Sequence, residues 1–398
     1  MARPRSSRRT RSGAIAPLTA LLLIPLCGFL VLTIDLSHLV WAQTELQSAA
    51  DSAALAGADQ LMNGWVQYYL PGQTLQSSIL STGEANAKTY AKNWVAKNSA
   101  GGVSNLTLLD SDIEFGYTDS SRNYTACPTY TGYPNTIKVT VRRDSTANTP
   151  VTLFFGSLLG HSTSNLSATA AATIYTGSVN SFQQNSAGRS VGILPMTYDI
   201  NHWNNFLATG QGPDGSTDTA ANGAPQLQVY PSIKYDGNFG ELSLDQGNDG
   251  ASTISGWISN GVSWSDLQNE FNANLLPLSA NPPNTWDWKG NPGLKTSTIH
   301  TADTVVGQQF LLPLFQAYDS SQSNYQAGTG NGSHYYYDIV AFVGITITQA
   351  DDHAIHVQPS AYIDPSVVFT SGSITPATPP ASGSSSLGTV FTSPKLTK

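Results

Sequence analysis

The sequence predicts an α+β protein, in which an N-terminal transmembrane helix continues into an α+β domain and a β-rich exported domain follows. Three observations predict it. Residues Ser12 to Ile34 hold no charged side chain, and a helix of that length, at about 1.5 Å per residue, crosses a hydrocarbon core of roughly 30 Å. Later stretches alternate apolar and polar residues with the period of two of a half-buried strand. Beyond residue 190 the composition turns to Asn, Gly, Pro, Ser and aromatics between short strand-like runs.

Residues 1–12 form a basic tail with Arg3, Arg5, Arg8, Arg9, Arg11 and no acid. Five arginines on one flank of the span, residues 13–34, place that tail in the cytoplasm and everything after Asp35 outside it. Trp41 falls where an interfacial ring sits. A cleaved secretory signal is the rival reading, but its apolar core runs about 7 to 15 residues and ends at a small-x-small site. Here the run is longer and leads into more helix, so a retained anchor is expected. Cys27 follows Pro25 and Leu26, unlike a lipoprotein cleavage site. Pro17 and Pro25 are expected to kink or interrupt the span.

Residues 35–176 read as a helical stalk and an α+β domain. In LQSAADSAALAGA, Leu46 to Ala58, the residues Leu46, Ala50, Ala53, Gly57 and Leu61 fall on one thin-walled helical face. Such a face either docks on its own domain or admits a partner helix at close range. The partner-packing set is Leu46, Ala49, Ala50, Ala53, Ala54 and Gly57. The helix is expected to end near Met62, before Leu70-Pro71-Gly72, and a second to run from Leu75 to Asn98. DIEFGY and TIKVTVRR alternate as strands. VTLFFGSLLG, after Thr149-Pro150, is expected as a short helix stopped by Gly160, and LSATAAATIY as a strand with small inward residues. Helices segregated from an antiparallel-rich sheet make an α+β unit.

Residues 177–190 form a polar linker, and 191–370 the β-rich domain. There Leu227–Tyr230 and Glu241–Leu244 read as strands, and ASTISGWISNG as a helix ending at Gly261. YYYDIVAFVGITIT is apolar on both faces, as a central strand is, with AIHVQPSAYI its partner. Residues 371–398 are rich in Ser, Pro and Gly and expected to be disordered.

Charge and motifs narrow the chemistry. With five of 18 basic residues ahead of the span, 13 remain against 26 acids, and so acidic a body argues against nucleic acid as a partner, since phosphate binding needs clustered Lys and Arg. Cys127 has no cysteine partner outside the membrane. His353 and His356 are three apart, a spacing that shares a metal on a helix but faces opposite sides on a strand. Asp245, Asn248 and Asp249 lie in a Gly-rich turn without the full calcium-loop spacing. Neither GxxxxGK[ST], GxSxG nor HExxH occurs. Catalytic residues, cofactors, metals, nucleic acid and a small-molecule substrate are therefore not expected. An exported hydrolase is the weakest reading. A membrane-anchored adhesin or ligand-binding module, with Trp286, Trp288 and Tyr335 to Tyr337 stacking on a ligand, is the alternative kept.

Arg11-x-Gly13, Asp35, Leu46-Gln47 and Ala50-Asp51-x-Ala53-Ala54-Leu55-Ala56-Gly57-Ala58, taken together, resemble the N-terminal region of TadG-like proteins. These belong to the TadE/TadG family of the bacterial tight-adherence (Flp) pilus assembly machinery. Phe115-Gly116, IKVTVRR, PVTLFFGSLLG and LSATAAATIY follow in that family's order. GNFGELSL, ISGWISNGV and YYYDIVAFVGITI are similar to a second exported region of longer members. The resemblance implies a non-enzymatic subunit of the inner membrane, its body in the periplasm or at the cell surface, with the membrane and other pilus-assembly subunits as partners. It also implies a pilin-like α+β domain, and a small-residue helix suited to pilin-type bundles. Members cut by a prepilin peptidase carry Glu five residues after the cleaved Gly. Here Leu18 holds that place after Gly13, which favours a retained anchor.

Overall fold

A computed structural model of the protein describes residues 15–184, 188–231, 240–244, 250–271, 286–291, 295–316, 336–351, 353–381 and 387–397. The basic tail, Gly13, the turn with Asp245, Asn248 and Asp249, and Tyr335 lie outside these residues. The fold mixes helix and sheet behind a long apolar N-terminal helix.

That helix, α1 (Ile15–Asp59), is built largely from Ala, Leu, Ile and Gln, strong or adequate helix formers. Pro17 sits in its first turn, where a missing amide costs nothing. Against the expected interruption, the helix continues through Pro25. It ends at Asp59, and α2 (Leu61–Tyr68) follows at once before Leu70-Pro71-Gly72 stops it. Next, α3 (Gln76–Val95) packs back along α1.

These helices cover a sheet of six strands whose main path runs Thr375–Pro376, Leu166–Thr176, Thr136–Arg143, Ile113–Thr118 and Tyr124–Ala126. The sixth, Phe391–Thr397, also pairs with Leu166–Thr176. Every pairing is antiparallel. The alternation in TIKVTVRR is used as read: Ile137, Val139 and Val141 are fully buried, while Lys138, Thr140 and Arg142 are partly exposed. Thr118, Thr136, Thr173 and Thr397 line up across four strands in a hydroxyl chain, with oxygens 2.7, 2.8 and 3.1 Å apart. A hydroxyl can donate one bond and accept another, so the row runs from Thr118 to Thr397, which donates on to the Ala171 carbonyl, without a charge.

The second sheet has seven strands, with Tyr336–Ala350 central between Gln309–Phe315 and Ile355–Pro359 as its two apolar faces demand. Pro225–Tyr230 pairs beyond Ile355–Pro359. Trp286–Lys289 pairs with the first residues of the central strand. The helix Ala251–Asn260 buries Ile254, Trp257 and Ile258 and ends at Gly261. Glu241–Leu244 makes only isolated bridges, at Glu241 to Met196 and Leu242 to Gly290.

Three expectations are corrected. VTLFFGSLLG is not a helix: Val151–Thr152 pairs with Thr163–Ser164, and a 3-10 turn at Gly156–Leu159 forms the tip of the resulting hairpin. The β-branched pair favours the strand, and the amides of Phe154 and Phe155 are drawn away from any helix by Asp35. Within 177–190, Val179–Phe182 is a strand paired with Val367–Phe369, and the Phe182 ring meets Phe342 edge-on at 5.1 Å. The segment from 371 is ordered at 373–381 and 387–397, where Ala377, Val390 and Phe391 are buried. Composition near residue 390 carries no trace of an open edge at 171–176 that needs a strand.

One buried apolar cluster runs from Leu46 to Phe391 across both sheets. Polar contacts also join the first unit's helices to the second sheet: Gln67 donates to the Pro359 carbonyl at 3.2 Å and Ser360 to the Asn63 amide oxygen at 3.1 Å.

Tyr133 is the wedge between α2 and α3. It is wholly buried, and a Cβ at Gly64 or Gly83 would lie 2.0 or 1.9 Å from its hydroxyl oxygen. That hydroxyl has no hydrogen-bond partner among the described residues, and burial pushes its pKa up. In an open helix Gly83→Ala would stabilise by about 1 kcal/mol. Here overpacking, at about 1–3 kcal/mol, should win and lower the melting temperature. Tyr133→Phe in the same chain should restore part of the loss. A rise in melting temperature for Gly83→Ala alone would contradict the wedge.

Candidate functional site

The residues with which the sequence promised most lie on α1, and the helix divides at Asp35. Every residue from Pro17 to Leu30 is exposed, and among the described residues this is the one helix long and apolar enough to cross a membrane. Hydroxyls there bond within the helix, Thr33 to the Phe29 carbonyl and Ser37 to the Thr33 carbonyl, both at 2.7 Å. From Asp35 onward one face is buried.

On that face Leu46, Ala49, Ala50, Ala53 and Ala54 are all 0% exposed, and Gly57 is buried with them. The surface expected to receive a partner helix is therefore occupied by the chain itself. The physical reason is distance of approach. A Cβ on Gly57 would lie 2.7 Å from Ile137 Cδ1, 3.3 Å from the Ala87 carbonyl oxygen and 3.5 Å from Ala91 Cβ. Only small residues let α1 fit between α3 and the strands Thr136–Arg143 and Leu166–Thr176.

Polar side chains fix the same helix to the loops and strands around it. The Asp35 carboxylate, 6% exposed, accepts from the amides of Phe154 at 2.8 Å and Phe155 at 3.1 Å. Gln43 and Gln47 donate to the carbonyls of Ser167 and Thr169, at 2.9 and 3.2 Å. Those carbonyls lie past the end of the Phe391–Thr397 pairing, which stops at Ala171, so α1 completes the edge. Glu45 accepts from the Gly101 amide at 2.7 Å. Arg143, 2% exposed, donates to the carbonyls of Ala100, Gly101, Thr149 and Pro150 and so ties two loops together. Burial pulls its pKa below the ordinary guanidinium value.

The remaining candidates are dispersed. His356 Nε2 is 3.3 Å from Asp218 Oδ2, two strands along the sheet, whereas His353 lies outside the strand and bonds Asp351 through its backbone. Cys127 is half-buried, and burial together with Glu84 and Glu114 pushes its thiol pKa up, away from the reactive thiolate. Trp288 and Tyr337 are 1% exposed core rings with no open face for a ligand. Sequence reasoning missed Glu241, wholly buried where it receives Lys295 at 2.6 Å, Thr298 at 3.3 Å and the Tyr230 hydroxyl at 3.4 Å. Burial pushes its carboxyl pKa up, and no local motif marks four residues spread over some seventy positions. It missed Arg143 as well, though an arginine closing the alternating run TIKVTVRR is a signal that could have been weighed.

A long apolar helix whose second half is the core helix of an α+β sheet domain defines a helix-mounted α+β protein. Residues 13–60 match the family model described as "Putative Flp pilus-assembly TadE/G-like", and residues 40–172 that described as "Putative Tad-like Flp pilus-assembly". Over residues 13–172 the chain is therefore similar to TadE/TadG-like proteins of Flp/Tad pilus assembly. No curated protein and no solved structure matches the chain.

Ala53→Leu adds bulk to a fully buried face, and should destabilise the isolated chain by about 1–3 kcal/mol. Ser48→Leu, on the exposed side of the same helix, should leave stability within about 0.5 kcal/mol. Denaturant unfolding of the detergent-solubilised protein distinguishes them. Equal stability of the two variants would return the stripe to a role in binding a partner.

Proposed function

We propose that this protein is a non-enzymatic, membrane-anchored structural component of a bacterial Flp (tight-adherence) pilus assembly apparatus. In this reading the tail is cytoplasmic, one helix spans the inner membrane, and the body lies in the periplasm or reaches the cell surface. The observation that carries it is the division of α1: an uncharged half exposed on every side joins, without a break, a half buried as the core of the family-matched domain. A continuous helix transmits position from bilayer to body as a rigid strut, which suits a part that must hold other parts in place. The raised pKa of Cys127 and the fully engaged oxygens of Glu241 support a structural rather than catalytic body. The pilin-like character of the first domain belongs to this proposal.

The buried Trp288 and Tyr337 disfavour the adhesin alternative in the form that relied on their stacking. Other pilus-assembly subunits are the expected partners, through surfaces other than the buried stripe.

Deleting the gene in the producing bacterium should abolish Flp fibres at the cell surface, seen by electron microscopy. The full chain should restore them, and a version lacking residues 13–34 should not. Protease added after opening the outer envelope should digest the body and leave a small membrane fragment. Normal fibres in the deletion strain would refute the assembly role, and a protected body would refute the orientation.

A further inference from the structure

Among the described residues beyond α1, the two most exposed large apolar side chains are Leu158, at 78%, and Phe154, at 65%. Both lie on the tip of the hairpin closed by Val151–Thr152 and Thr163–Ser164. Asp35, the residue that ends the uncharged run, holds that tip against α1 through the Phe154 and Phe155 amides. The Phe154 ring lies 5.1 Å from His38, one turn further along α1, and His38 in turn touches Trp41, which is 60% exposed. The tip therefore stands at the level where the apolar span stops.

Its chemistry suits that level. No Asp, Glu, Lys or Arg occurs between Asp144 and Arg189, so no charge would have to leave water. Six of the tip's backbone donors are also engaged: Leu153 bonds Ser162, Phe154 and Phe155 bond Asp35, Leu158 bonds Phe155, Gly160 bonds Ser157, and His161 bonds Gly156. A loop with satisfied amides enters an apolar phase at far lower cost than an open one.

We propose that the hairpin tip, Phe154 and Leu158 foremost, inserts into the interfacial layer of the same bilayer that α1 crosses, on the leaflet facing the body. The occupant of this exposed patch is lipid, because the patch continues the lipid-facing surface of α1 past Leu36 and Val40, both 59% exposed. A helix alone can rotate about its axis. A second contact beside it fixes the azimuth and tilt of the body over the membrane. The inference rests on the membrane-anchor reading.

The test uses full-length chain in proteoliposomes, with Cys27→Ser and Cys127→Ser removing the native thiols. Leu158→Cys, Leu22→Cys and Val306→Cys are each labelled with a nitrobenzoxadiazole fluorophore. Lipids spin-labelled near the headgroup or deep in the acyl chain then quench according to depth, and iodide quenches from water. The Leu158 probe should emit blue-shifted light and lose most of it to the shallow label. The Leu22 probe should respond to the deep label, and the Val306 probe only to iodide. If Leu158 behaves like Val306 while Leu22 is quenched by lipid, the hairpin proposal fails and the anchor stands. If Leu22 also escapes lipid quenching, both fail. A Leu158 probe shielded from iodide and lipid alike would mean that a second copy covers the tip, which also overturns the proposal. Asp35→Ala should reduce the shallow quenching of Leu158 while unfolding of the body stays cooperative, and undiminished quenching would remove Asp35 from the mechanism.

Discussion

Close approach between α1 and the elements around it is the constraint on which the remaining contacts depend. Side chains no larger than a methyl bring the helix backbone near α3 and near the sheet. Only at that distance can Gln43 and Gln47 reach the carbonyls of Ser167 and Thr169, and Asp35 the amides beyond Thr152. A bulkier face would hold the helix away and leave the buried Asp35 carboxylate without the Phe154 and Phe155 amides. An unpaired buried group costs about 1–3 kcal/mol, more when charged, a sizeable part of the net stability of a domain. The alanines act mainly as spacers of minimal size, and the polar contacts follow from the spacing they set.

The charged groups that are buried follow a related logic. Among the described residues Arg143 meets four carbonyls from two loops and no carboxylate, a planar fork spreading its charge over several dipoles. Glu241 is paired with Lys295 and has both oxygens occupied. In each case one side chain replaces the regular hydrogen bonding that the neighbouring backbone lacks. Both sit where the chain is irregular, at Ala100–Gly101 and Thr149–Pro150 in the first sheet domain and near the isolated bridge at Glu241 in the second.

What was legible in the sequence was local. The α3 helix, the alternation of TIKVTVRR, the central position of Tyr336–Ala350 and the stop at Gly261 all came from periodicities and breakers within one element. What was not legible depends on residues far apart. The stripe from Leu46 to Gly57 read as small and apolar, which is correct, but periodicity cannot say whose surface covers it. In LFFGSLLG the apolar density suggested helix, while the decisive partner, Asp35, lies 119 residues away. The strand Phe391–Thr397 carries Ser, Pro and Lys and resembles a tail in composition. Its place is set by the free edge at 171–176. Glu241, Lys295, Thr298 and Tyr230 come together only through the fold.

That same strand bears on how the molecule reaches its folded state. Thr397 bonds Ala171 across 226 positions of sequence, so this edge of the sheet stays open until the chain that forms the second sheet has been made. Closing so long a loop carries an entropic cost before the contact rewards it, and such non-local pairing is slow. In the interval Leu166–Thr176 presents unpaired backbone groups able to template another chain. Several molecules folding side by side would then compete with the proper strand. The rate of maturation is thereby tied to local crowding, and an assembly line that inserts these chains singly, or shields that edge, gains yield without any change in the final structure.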